Sequence, residues 1–175
     1  MRHLTIPAAA TILLAATHPG YALAAPEGFP DPSQFTETTV EHIKRNTQAT
    51  INSFAAFKTP DGLECQFVPH SAGCWGPSSD AIPGFPPDAP NQSGENMPCL
   101  VQAVSFGGRT NGTDAPEPGH FRIQSQCAGT ASPILPAGQK VTLGTTVCLV
   151  GEAKLTACTD GNHGFVIQPS DSWVF

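Results

Sequence analysis

Apolar and polar residues alternate along much of the second half of this chain. Between 120 and 127, Phe121, Ile123, Ser125 and Cys127 alternate with His120, Arg122, Gln124 and Gln126, the period of two expected of a half-buried strand. Val141, Leu143, Val147 and Leu149 continue the pattern, with Gly144 read as a bulge or close packing. Apolar runs at 54–57, 63–68, 100–106, 155–158 and 165–167 predict further short strands. Trp173, Val174 and Phe175 predict an apolar edge strand at the end of the chain. Between the runs lie turn signals: Thr59-Pro60-Asp61-Gly62 with proline second, 69–73, the glycine-rich 107–112, and 161–164. About eight short strands punctuated in this way predict an all-β domain, a small sandwich or barrel of antiparallel strands.

Other segments break the pattern. Pro26, Pro30 and Pro32 predict an extended tail over 25–33. From 35 to 49 two signals compete: Thr38 with Glu41 fits a capping box, whereas the threonines favour extended chain. Residues 76–98 carry Pro77, Pro83, Pro86, Pro87, Pro90 and Pro98 with no apolar period, a long crossover stiffened by proline. The first residues read differently again. Met1-Arg2-His3 is basic, 4–17 is apolar and alanine-rich, and Ala22-Leu23-Ala24 precedes Ala25. This is the three-part plan of a secretory signal peptide cleaved between Ala24 and Ala25. The expected organisation is therefore a signal peptide at 1–24, a tail and linker at 25–52, and a single disulfide-linked β-domain at 53–175.

Composition narrows the picture. Charged residues are 13% of the chain and the net charge is −6. That excludes a basic nucleic-acid binder and disfavours anionic membrane surfaces, and no apolar run reaches the length of a membrane span. The six cysteines Cys65, Cys74, Cys99, Cys127, Cys148 and Cys158 all follow the signal. An even count in an exported chain reads as three disulfides. Six cysteines permit fifteen pairings; short loop closure favours the sequential set 65–74, 99–127 and 148–158. The ligand spacing of a zinc site, Cys-x-x-Cys or His-x-x-x-His, is missing.

The run Phe57-Lys58-Thr59-Pro60-Asp61-Gly62-Leu63-Glu64-Cys65, followed by Gly73-Cys74, resembles the opening of the small exported six-cysteine proteins of mycobacteria and related actinobacteria. Leu135-Pro136-Ala137-Gly138-Gln139, then Cys148, Cys158 and Gly164-Phe165, continue the likeness, which covers about 54–175. It implies a secreted β-domain and no particular catalysis.

Candidate chemistry is sparse. The hydrolase patterns Gly-x-Ser-x-Gly, Ser-x-x-Lys and His-Glu-x-x-His do not occur. His163, beside Asp160 in Thr159-Asp160-Gly161-Asn162-His163-Gly164, is a catalytic or metal candidate or simply part of a turn. His42, His70 and His120 are scattered through the rest of the mature chain. Trp75 and Trp173 are candidates for stacking on sugars or for filling the core. No catalytic residue, metal ligand or cofactor is assigned. The function expected is an exported, non-enzymatic binding or structural module, secreted or associated with the cell wall. Its expected partner is an envelope polysaccharide or another exported protein. Two alternatives stand beside it: a hydrolase acting on envelope material, using His163, Asp160 and a serine or second acid, and a protease inhibitor presenting 76–98.

Overall fold

A computed structural model describes residues 26–39, 54–78, 80–94, 97–110, 113–115, 117–126 and 132–175. The signal segment with Ala24 and Ala25, residues 40–49 and Cys127 lie outside them. The described chain is all-β. A six-stranded sheet runs in the order β1 (Thr36–Thr38), β9 (Gln139–Leu143), β10 (Thr146–Val150), β11 (Thr156–Thr159), β12 (Gly164–Ile167), β13 (Ser172–Val174). A five-stranded sheet runs β2 (Ala55–Lys58), β3 (Glu64–Val68), β4 (Ser71–Trp75), β5 (Leu100–Phe106), β8 (His120–Ser125). A small arm pairs β6 (Gly108–Thr110) with β7 (Thr113–Ala115). The sheets pack face to face, with β4 opposite β11 and β5 opposite β12.

Register explains the core. Across the five-stranded sheet, Phe57, Cys65, Cys74, Val104 and Phe121 stand in one row. Across the six-stranded sheet, Val141, Cys148, Cys158, Phe165 and Val174 do the same. Both rows point into one apolar core, completed by Leu63, Phe67, Phe106, Leu135 and Ile167. Each row has a disulfide at its centre. Cys65–Cys74 and Cys148–Cys158 are bonded with Cα atoms 4.1 Å apart in both cases, because each pair sits directly opposite across a hairpin. Two of the expected pairings are thus present. Cys99 is also disulfide-bonded, and its expected partner Cys127 is outside the described residues.

The turns follow the local chemistry. In the β2–β3 hairpin the Gly62 N–H donates to the Thr59 carbonyl at 3.0 Å and Gly62 has φ +97°, a type I turn closed by a left-handed glycine. Thr59 Oγ1 donates to Asp61 Oδ1 at 2.6 Å and accepts from the Leu63 N–H at 3.0 Å. The β3–β4 connection is tighter than the 69–73 turn expected from the sequence. Val68 already pairs with Ser71, leaving Pro69 and a left-handed His70 as the loop. The alternation read through 141–149 spans not one strand but a hairpin, β9 and β10, turning at Gly144 and Thr145. The turn reverses the phase: Val141 and Cys148 face the core, and Leu149 faces the other side. A Cβ on Gly144 would lie 3.0 Å from the Pro69 ring, so the close packing expected there is real. The two hairpin tips meet, and Thr145 Oγ1 lies 2.9 Å from His70 Nδ1. The glycine-rich 107–112, expected as a turn, instead opens the β6–β7 arm.

The N-terminal segment differs from the free tail its prolines suggest. Phe29 and Phe35 pack on an apolar strip of Leu149, Ala157, Val166 and Trp173, the outer face of the six-stranded sheet. β1 then adds to that sheet parallel to β9, and Lys140 Nζ donates to the Pro32 carbonyl at 2.8 Å. Two phenylalanines supply the burial that the proline content hides. The same holds for the crossover at 76–98: Ile82 is in the core, and Phe85 stacks edge-on against Phe121 at 5.6 Å.

Candidate functional site

The outward face of the five-stranded sheet is polar and concave, and the register shows why. One outward row reads Gln66, Gly73, Ser105, His120, and the next reads Glu64, Trp75, Ala103, Arg122. The central strands contribute Gly73, Ser105 and Ala103, all small, while the flanking positions carry large side chains. With strands about 4.8 Å apart, a furrow opens between Gln66 and Trp75 on one side and His120 and Arg122 on the other. It forms a cleft of about 510 Å³, closed at one end by Gly107, Gly108 and Glu117.

A compact hydrogen-bonded cluster occupies its β5–β8 wall. Arg122 Nη1 donates to Ser105 Oγ and approaches His120 Nε2 at 2.9 Å. Arg122 Nε donates to Gln124 Oε1 at 3.0 Å. Ser105 Oγ lies 3.3 Å from His120 Nε2, and His120 Nδ1 lies 3.3 Å from the Pro118 carbonyl oxygen. A carbonyl only accepts, so the network assigns the imidazole proton to Nδ1 and leaves the Nε2 lone pair facing the guanidinium. The partners of Arg122 are therefore all neutral, and no carboxylate lies within ion-pair distance of it among the described residues. Arg122 is half-buried, and that burial holds its pKa below the ordinary arginine value, although the guanidinium stays charged in water at any physiological pH.

Trp75 separates this cleft from a second one. The indole is buried against Val101 and Ala103 and lines both clefts. The second, about 360 Å³, carries the Lys58–Glu64 ion pair, 2.9 Å long, and the exposed Leu100.

The remaining sequence candidates fall elsewhere. Asp160 and His163 belong to the β11–β12 turn, where Asp160 Oδ1 accepts from the backbone N–H of Asn162 at 2.9 Å and of His163 at 2.8 Å. His163 Nδ1 stands 3.8 Å from Asp160 Oδ2, and neither residue lines either cleft. Trp173 is half-buried in an aromatic group with Phe29 and Phe175, its ring 5.1 Å from that of Phe175. His70 sits at a hairpin tip, and His42 is outside the described residues. Among the described residues no three His, Cys, Asp or Glu side chains gather as metal ligands. Sequence reading passes over Ser105 and Arg122 and names His120 only as one of several histidines. The signal available was the polar phase of β8, His120-Arg122-Gln124, whose meaning depends on which strand lies beside it. No protein family, no curated protein and no solved structure matches the chain.

Proposed function

We propose that this protein is an exported, non-enzymatic binding module of the cell envelope or extracellular medium, and that its ligand face is the outer surface of the five-stranded sheet. The observation that carries the reading is the cleft, a polar furrow with a charged side chain in its wall. Its size falls within the about 300–1,000 Å³ typical of small-molecule sites. Export is supported by the two hairpin disulfides, which persist in oxidising compartments.

A hydrolytic reading has one observation in its favour, the 3.3 Å approach of Ser105 Oγ to His120 Nε2. The same nitrogen already faces an Arg122 N–H at 2.9 Å. A base must hold its lone pair free for the serine proton, and here the guanidinium occupies it. Binding is the better use of these groups.

The test is co-sedimentation of the oxidised protein with purified cell wall. Trp75→Ala, which removes the wall between the clefts, and Gln66→Trp, which fills the larger one, should each reduce retention about tenfold. Trp173→Ala, on the opposite sheet, should lower the melting temperature and leave retention intact. Undiminished retention of folded Gln66→Trp, or no retention of the parent protein, overturns the reading.

A further inference from the structure

We propose that the larger cleft selects a ligand carrying a single carboxylate on a hydroxyl-rich scaffold, the chemistry of an acidic sugar. The inference rests on the outer face of the five-stranded sheet being the ligand face.

Arg122 is half-buried in the cleft wall and its partners there, Ser105, His120 and Gln124, are neutral. A guanidinium drawn partly out of water without a counter-charge loses solvation and gains little in return. An anion entering the cleft supplies the missing partner. Nε and Nη1 are committed to the protein, whereas neither N–H of Nη2 takes part in a bond among the described residues. Ser105 Oγ accepts from Nη1 and has its own hydroxyl proton to give. A carboxylate takes charge-assisted bonds from such donors.

The ligand is limited to one charge by the donors on offer: Arg122 is the one arginine or lysine among the described residues lining the cleft, and one carboxylate uses the donors it has left. For the rest of the ligand, Gln66 and Gln92 line the cleft with amides that donate and accept, the pairing that sugar hydroxyls require. Trp75 supplies an apolar wall about two strand spacings from Arg122, roughly 10 Å, a separation suited to a sugar ring with its acid directed at the arginine.

The experiment uses the oxidised protein with two probes of one scaffold: the methyl glycoside of galacturonic acid, which carries one carboxylate, and the methyl ester of the same glycoside. Calorimetry or NMR titration should show binding of the acid form and at least a tenfold weaker response to the ester. Arg122→Gln should lose about ten- to a hundredfold in affinity for the acid and little for the ester. Arg122→Lys, which keeps the charge and loses the Nη2 donors, should fall between. If Arg122→Gln does not fold, Ser105→Ala gives the same test from the other side of the carboxylate, with a smaller loss. Equal binding of acid and ester overturns the carboxylate assignment and leaves the binding face standing. Competition by inorganic phosphate at equal concentration overturns it in favour of a phosphate ligand. Failure of both probes to bind, while the wild-type protein is still retained on cell wall, refutes the sugar-acid assignment alone.

Discussion

Single residues decide how tightly the hairpins close, and one of them is chosen against its own preference. In the β10–β11 loop, Ala153 and Lys154 have φ +53° and +63°, and the Leu155 N–H donates to the Glu152 carbonyl at 3.2 Å. Two successive left-handed residues are the mark of a type I′ turn, which asparagine and glycine occupy readily and alanine and lysine do not. Replacing both, Ala153→Asn with Lys154→Gly, should stabilise the protein by about 1–2 kcal/mol, read as a rise of several degrees in thermal melting. No rise, or a fall, would mean that the loop relaxes in solution. His70 is the parallel case on the facing hairpin, left-handed at φ +66°, but its ring is engaged with Thr145, so its replacement sacrifices a contact that Ala153 and Lys154 do not have. Asp31 shows the opposite kind of residue, one placed according to its chemistry. It caps the short 3-10 turn Pro32–Gln34, and the Ser33 backbone N–H, followed by the Ser33 hydroxyl, holds its carboxyl below the ordinary aspartate range.

At the scale of elements, the disulfides act as cross-strand pins. Each closes a short loop, separations of 9 and 10 residues, worth about 3 kcal/mol in the chain-entropy account. Removing the second with Cys148→Ala and Cys158→Ala should therefore lower stability by about 3 kcal/mol, plus the loss of sulfur volume from a fully buried position, while circular dichroism keeps its β signature. Denaturant titration measures the difference; an unchanged midpoint would show that packing alone sets the hairpin. Most of these elements were legible in the chain, for a physical reason. A turn such as Thr59-Pro60-Asp61-Gly62 is specified by its own four residues, and so are apolar runs bounded by glycine and proline. What could not be read was phase across a tight turn. The alternation at 141–149 looks continuous because the hairpin consumes only Gly144 and Thr145, and nothing local reports that Leu149 has changed faces. Docking of the N-terminal segment was hidden likewise, since Phe29 and Phe35 gain burial only from an apolar strip built more than a hundred residues later.

Over the whole molecule, the site was the least legible part because it is a product of pairing. Ser105 and His120 face each other only because β5 and β8 pair in one register, and a slip of one residue would send His120 and Arg122 into the core. No spacing along the chain encodes that neighbourhood. The furrow depends equally on what is small, and Gly73, Ala103 and Ser105 acquire meaning only beside Trp75 and Arg122. The same distinction between near and far separates how the molecule is pinned from how it is assembled. Both described bridges stay within one hairpin of one sheet, so neither needs the two sheets to have met. Segments of this length make contact in well under a microsecond, far faster than thiols oxidise. An oxidant can thus lock each hairpin while the rest of the chain is still unfolded, and the correct sulfurs are also the nearest. Pulse-alkylation during oxidative refolding should find 65–74 and 148–158 as the first bridges, ahead of any pairing between the two hairpins, with little dependence on added isomerase. A refolding path dominated by shuffled bridges would contradict this. Proofreading is then largely unnecessary for these two bridges, because proximity along the chain has already performed it.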